Sequence, residues 1–510
     1  MSELIYGYIN TFRVHSRENL SVDAKLLEEN YKYDLKALVD FISLIYVEEP
    51  VNKLRTILHF PYKKNEGKKE VSNVIKIIVD KWDDNYIYGR SADIESDIIK
   101  VDYQTPNNHG KNFGYIKDII KNNTQFNLIK TRKENGVYYP ELIIIEPDYL
   151  IDISAIASCF TEYGNSSYNY LVNKIKPSTI TSPILLGNLA SQFLDEVINN
   201  KNGKDIKYST SITKFFRDNA LDIATCSDMN DNFHVNARQQ LDILKNIIEI
   251  KFPELSNIEM DQIILEPSFI CEMLGLQGRM DLLQKDYRIL MEQKSGQREY
   301  GTGRHKEPHY VQMLLYQAVL HYGFSLKNEH ISSFLLYSKY ADGLIKEGPA
   351  PKLLFDALKI RNEIVAHELS YTNEKEVESI FKKLTPKFLN INEKDDKLWR
   401  NYQEPQLNSL LSEYHHATQL EKDYFCRLFA FIERENILSK IGSSTKENDG
   451  FSSVWNATLD EKKQTGDIYN NLTIIQKECT EEDSGYDLLT LQIPQQEDDF
   501  LSNFRIGDVV

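Results

Sequence analysis

Residues 278–296, GRMDLLQKDYRILMEQKSG, leave little freedom of local fold. The apolar run Ile289–Met291 passes straight into Glu292, Gln293 and Lys294. In an extended strand, side chains alternate between faces. Arg288, Leu290, Glu292 and Lys294 then share one face, and Ile289, Met291 and Gln293 the other. The stretch GLQGRMDLL reads as a second short strand, and a tight turn around Lys285–Tyr287 folds the two antiparallel. That pairing sets Asp281 roughly opposite Met291–Glu292, eleven residues before Glu292 in the chain. Two carboxylates and one ammonium converge at a strand end, and Glu266, in ILEPSF, is placed to add a third carboxylate.

Hard divalent cations bind such oxygens, and magnesium usually takes one or two carboxylates while keeping several waters. A bound cation activates water and stabilises charge on phosphorus. Lys294 beside it would steady the developing charge. Asp281, Glu292 and Glu266 are therefore candidate ligands for Mg or Mn, with Lys294 as a catalytic group. The competing reading is an exposed hairpin with a solvated Glu–Lys pair, because E-x-K after an apolar run is common by chance. The next segment, HKEPHYVQMLLYQAVLHYGF, favours the site. Val311, Leu314, Leu315, Val319 and Tyr322 form a helical apolar stripe. Gln312 and Tyr316 stand four apart on one flank, with His309 a turn earlier. Such groups can order the lysine or hold a phosphate. Arg298, Arg304, His305 and Lys306, in the loop before this helix, are candidates for contact with DNA phosphates.

A chain of 510 residues is too long for one ordinary core, and two or three domains are expected. Its formal net charge is -16. Proteins that hold nucleic acid by bulk charge are usually basic, so any contact with DNA here has to come from local basic patches. Five cysteines, scattered and odd in number, argue against a disulfide framework and for a reducing cytoplasm. No signal peptide and no apolar stretch long enough to span a membrane is found. No G-x-x-x-x-G-K-[ST] occurs, so the chain carries no phosphate-binding loop for ATP.

Residues 20–49 have helical spacing. From 54 to 147 the runs RTILHF, VIKIIVDKW, NYIYGR, IIKVDY, FNLIKTR and ELIIIEP are strand-like, and a small OB-like β-barrel is expected. Residues 149–440 are mainly helical around the Asp281–Lys294 hairpin. Residues 441–453 read as a linker. NLTIIQKE, YDLLTLQIP and FRIGDVV then make a C-terminal β segment over 454–510. The chain stops inside that last apolar run, which suggests the front part of a longer protein. The expected domains are thus 1–148, 149–440 and 454–510, with an α+β architecture.

The order D…E-x-K followed by Q-x-x-x-Y resembles the PD-(D/E)XK nuclease superfamily in its RecB-like branch. LGLQGRMDLL, LMEQKSG and PHYVQMLLYQAVL are similar to segments of the DNA replication ATP-dependent helicase/nuclease family, which processes flaps and resects ends. The resemblance implies a restriction-endonuclease-like core and metal ligation by Asp281 and Glu292. It makes Lys294 the catalytic lysine, supported by Gln312 and Tyr316. It also implies a DNA substrate, single-stranded or flapped, and a helicase motor either in cis beyond Val510 or in trans. The family often carries a His on an upstream helix. Here LLGNLASQFLDEVI offers Gly187 and then Ser191 at that place, leaving Asp195 or Glu196 as substitutes, or a site with a single tight metal. The family's four iron–sulfur cysteines are incomplete. Cys159 matches the first, but only Cys426 and Cys479 follow the core, and Cys226 and Cys271 are wrongly placed. No iron–sulfur cluster is expected; an apolar stripe of Phe425, Leu428, Phe429 and Ile432 would tie the C-terminal helix down instead. Two rival readings remain: a catalytically weak nuclease fold used for DNA binding or assembly, and a phage-defence nuclease working with partners.

Overall fold

The computed structural model describes residues 74–91, 98–200, 205–230, 232–299, 302–442, 450–478, 488–495 and 502–505. The helix read at 20–49, the strand RTILHF, Cys479 and most of FRIGDVV lie outside these residues. Alternating apolar residues from 74 to 145 build seven strands. These are β1 (Val74–Trp82), β2 (Tyr86–Arg90), β3 (Ile99–Asp102), β4 (Gln125–Ile129), β5 (Arg132–Glu134), β6 (Val137–Tyr139) and β7 (Leu142–Ile145). They form one sheet in the order β5-β6-β3-β2-β1-β4-β7, over a core that includes Ile77, Val79, Ile87, Val101 and Phe126. The sheet is open, not the expected closed barrel. At one edge β5 is wholly exposed. At the other edge a helix replaces the missing strand. Asn362 accepts from the Ile145 N–H at 3.0 Å and donates to the Ile143 carbonyl at 2.8 Å, so the edge groups of β7 are already satisfied.

The central part begins with β8 (Ile151–Asp152), α1 (Ile153–Ala157), the small hairpin β9 (Phe160–Thr161) and β10 (Gly164–Asn165), α2 (Tyr168–Ile175) and α3 (Ser182–Asn199). It continues through β11 (Ile263–Leu265), β12 (Ser268–Cys271), β13 (Leu276–Arg279), β14 (Leu282–Gln284) and β15 (Ile289–Lys294). Then come α4 (Glu307–Ala318), β16 (Ser332–Tyr337), β17 (Leu344–Glu347), α5 (Pro351–Ser370) and α6 (Gln419–Ile441). The central sheet has the order β11-β14-β15-β16-β17, with β15 and β16 parallel. Alternation along β15 works as read from the sequence. Ile289 and Met291 enter one core with Leu189 and Phe193 of α3, whereas Leu290 enters another with Val311 and Leu315 of α4. With both faces covered, the sheet is the middle layer of an α+β sandwich.

GLQGRMDLL is not a single strand. β13 belongs to a separate sheet with β12 and β8, while β14 pairs with β15 through Leu282↔Met291. The chain changes sheets at Met280 and Asp281, and its partner changes at the same level, through Glu266 and Pro267. Glu266 has a left-handed φ of 48°, and its N–H donates to the Asp281 carbonyl at 3.0 Å. Pro267 lacks an N–H, so it cannot continue a ladder on that side. Asp281 therefore sits in a backbone break, freed from the pleat.

Arg361 of α5 ties the N-terminal sheet to the central part. Its guanidinium is fully buried and donates to the carbonyls of Glu146 at 3.0 Å, Tyr149 at 2.8 Å and Gly275 at 3.2 Å, and also to that of Ile145. Burial pushes its pKa down to about 9, against the pull of Glu146. Gly275, at φ 62°, is required here, because a Cβ would stand 2.1 Å from Arg361 Nη2. On α6 the inward face is Cys426, Phe429, Ala430, Glu433 and Ile437. The face is rotated from the expected stripe, and Ile432 is 45% exposed. Glu433 turns inward because Lys174 of α2 lies 2.5 Å away, itself 2.6 Å from Glu368 of α5. Part of the expected linker is anchored: Phe451 and Ser452 donate backbone bonds to Ser439 and Lys440. Beyond it, β18 (Thr473–Glu478) and β19 (Leu488–Gln492) pair as an exposed hairpin. Among the described residues, no helix is long and apolar enough to cross a membrane.

Candidate active site

The end of β15 aims Glu292 and Lys294 toward α4. Glu292 is 3% exposed. Its Oε1 accepts from Lys294 Nζ at 2.7 Å, and its Oε2 is buried without a hydrogen-bond partner. From the break between β13 and β14, Asp281 places Oδ2 2.6 Å from the Gln293 N–H, which it accepts. Lys294 Nζ also donates to Gln312 Oε1 at 2.9 Å; Gln312 Nε2 donates to Tyr316 Oη at 3.1 Å; the Tyr316 hydroxyl donates to the Arg279 carbonyl at 2.8 Å. A continuous chain of hydrogen bonds therefore runs from strand to helix and back to the residue two before Asp281. Its helical part is legible in the four-residue spacing of Gln312 and Tyr316.

The electrostatics leave this cluster short of positive charge. Burial pushes the Glu292 carboxyl up to about 8, helped by the Asp281 charge and opposed by Lys294. Burial also raises Asp281, against the Gln293 N–H and Lys294. A buried carboxylate and a half-buried one face one lysine, and a further cation would relieve both. Helix α3 adds a third acid. Gly187, Ser191 and Asp195 follow at intervals of four, hence on one side of the helix. Ser191 Oγ donates to the Gly187 carbonyl at 3.3 Å. Burial raises the Asp195 carboxyl to about 7, with the charges of Glu266 and Asp281 adding to the shift. Glu196 looks elsewhere: its two oxygens accept from Gln192 and from the Ser211 hydroxyl. Of the two acids left open by the sequence, Asp195 is the one near the cluster. Glu266 stands at the rim, paired with Arg279 at 3.1 Å. Among the described residues, no three His, Cys, Asp or Glu side chains form a ready-made metal cage. The donors instead suit a hard cation held by two carboxylates plus waters, with the unpartnered Glu292 Oε2 as one oxygen.

The remaining candidates divide. His309 Nδ1 lies 2.8 Å from the Tyr337 hydroxyl, whose oxygen also accepts the Lys306 N–H at 3.0 Å. Burial, then Lys294 and Lys306, push His309 down to about 3, so the ring is neutral. In the tautomer whose Nδ1 accepts from the Tyr337 hydroxyl, the ring proton is on Nε2, which is then a donor. Arg298 is not presented to solvent. Its side chain is 10% exposed, paired with Asp342 at 2.9 Å and set 4.6 Å over the Tyr340 ring. His305 is also engaged, bonded to Glu347 and packed against Tyr310. Arg304 and Lys306 remain exposed.

Two clefts meet at Asp281 and Glu292. The larger, about 740 Å³, extends over Phe269, Ile270, Gln277, Tyr316 and Phe451. The smaller, about 370 Å³, extends over Gly187, Ser191, Lys294, Lys306 and His309. A carboxylate pair with a lysine on a central strand, backed by a Gln–Tyr helix, thus lies where the two clefts meet. The family pattern of the PD-(D/E)XK nuclease superfamily matches residues 167–428, just over half of the chain, and the chain belongs to that superfamily. Members of this superfamily generally use divalent metals such as Mg or Mn. The chain matches no curated protein.

Proposed function

We propose that the protein is a metal-dependent DNA nuclease whose ligands are Asp281 and Glu292, with Asp195 and Glu266 as outer acids. The observation that carries this reading is the buried, unpartnered Glu292 Oε2 beside Asp281, at the junction of two clefts. Asp281 and Glu292 would hold a divalent cation, which would supply an activated water and Lewis-acid stabilisation of charge on phosphorus. Lys294 Nζ stabilises negative charge developing on the phosphoryl group. Gln312 and Tyr316 are positioning residues that fix the ammonium through their hydrogen bonds. The neutral His309 offers Nε2–H to a substrate oxygen in the smaller cleft. The resemblance to RecB-like and helicase/nuclease sequences supports single strands or flaps as substrates, in repair, replication or recombination. It also supports a motor acting in cis or in trans.

The test is cleavage of single-stranded and duplex DNA across a magnesium and manganese titration. Wild type should cleave only with metal, and Asp281→Ala and Glu292→Ala should not cleave at all. Wild-type rates in either variant would overturn the ligand assignment, and a wild type that binds DNA but never cleaves it with either metal would leave the fold as a DNA-binding or assembly module.

A further inference from the structure

The two clefts that share Asp281 and Glu292 differ in chemistry. From this difference we infer that the larger cleft receives unpaired nucleobases of the substrate strand while the smaller receives its phosphates. The inference rests on the nuclease reading for the identity of the strand. In the larger cleft, Ile270 and Phe451 are 40% and 46% exposed and present apolar surface beside the two acids. Phe269 and Tyr316 line the same cleft, their rings perpendicular with centroids 5.7 Å apart. Phe451 is held in place: its N–H donates to Ser439 at 2.9 Å, and its ring meets Trp455 edge-on at 5.7 Å. Trp455 Nε1 is in turn tied to Asp148 at 2.8 Å. A fixed aromatic ring is a stacking platform, and stacking tolerates any base because every base has a π-face.

Phosphate fits this cleft poorly. Its lining arginine, Arg279, is paired with Glu266, and Asp152 is an acid on the same wall. Gln277, bonded to Asp152 at 2.9 Å, and Ser268 provide polar atoms suited to base edges. In the smaller cleft the balance reverses, with Lys306, the His309 ring and the Ser191 and Ser295 hydroxyls. A strand crossing the carboxylates then exchanges phosphate contacts for base contacts at the scissile bond. Paired bases cannot offer their faces to Phe451, so duplex is disfavoured on that side.

The experiment uses the full chain in EDTA, so that binding is read without cleavage. Anisotropy is measured for a labelled thymidine strand and for an abasic strand of equal length. Wild type should prefer the thymidine strand by about tenfold or more, the scale of one stacked base. A 2-aminopurine placed in the strand should be quenched on binding. The double variant Ile270→Ser, Phe451→Ala alters two exposed residues. It should retain the wild-type melting temperature, bring the preference to within about twofold, and leave the abasic affinity unchanged. Equal wild-type affinity for both strands, failure to bind either, or equal losses on both in the variant would overturn the inference. Cleavage with magnesium or manganese is scored separately: a protein that shows the base preference but never cuts contradicts the nuclease reading and leaves the cleft assignment standing.

Discussion

Lys294 is held by Glu292 on one side and Gln312 on the other, so its ammonium is aimed before any substrate arrives. Such preorganisation acts on the transition state more than on binding. Lys294→Ala should therefore lower the single-turnover rate by on the order of a hundredfold or more while changing DNA affinity little. Rate and affinity falling together would make it a phosphate anchor. Asp195 and Glu196 provide a matched comparison. Asp195→Asn should raise the metal concentration needed for half-maximal rate by about ten- to a hundredfold, as outer-sphere acids do. Glu196→Gln, whose partners are Gln192 and Ser211, should not. The placement of Glu292, Lys294, Gln312 and Tyr316 was legible because strand and helix periods put them on definite faces. The fate of Arg298 was not, because its partner Asp342 lies 44 residues on, across a contact that no local pattern encodes.

At the scale of elements, periodicity predicts alternation but not where a strand changes sheets. The split at Met280–Asp281 depends on Glu266 and Pro267 in a neighbouring strand, and the open N-terminal sheet depends on Asn362 from a helix over two hundred residues away. The inward face of α6 differs from the expected stripe for a related reason: Lys174, on a distant helix, draws Glu433 inward while Ile432 is left exposed. That inward Glu has a pH signature. Burial, then the neighbouring Glu368, hold its carboxyl well above the ordinary carboxylate range, with Lys174 opposing. A folded-state pKa above the unfolded one means that the folded protein binds more protons. The associated stability is complete below the unfolded pKa and is lost as pH rises through the folded one. Glu433→Gln mimics the protonated form. Its melting temperature relative to wild type should thus become steadily more favourable as pH rises from the ordinary glutamate pKa through the raised folded one, about 7, and then level off. A difference independent of pH would mean that Glu433 is charged throughout.

The whole molecule carries a net charge of -16, so a DNA strand meets a repulsive background before it meets the site. At physiological salt this field is screened beyond roughly 8 Å, and the contacts that capture a strand are local. In the loop leading into α4, Arg298 and His305 are committed to Asp342 and Glu347. Arg304 and Lys306 are the exposed cations there, and Lys306 lines the smaller cleft. Each cation that neutralises a phosphate of a single strand contributes about 0.7 to the slope of log affinity against log salt, through counterion release. Arg304→Ala with Lys306→Ala should therefore make that slope shallower by about 1.4 between about 50 and 200 mM salt. Arg298→Ala should leave the slope as in wild type and lower the melting temperature instead, because it strips Asp342 of its partner and uncovers Tyr340. An unchanged slope in the double variant, or a shallower one in Arg298→Ala, would move the path of the strand away from the mouth of the smaller cleft.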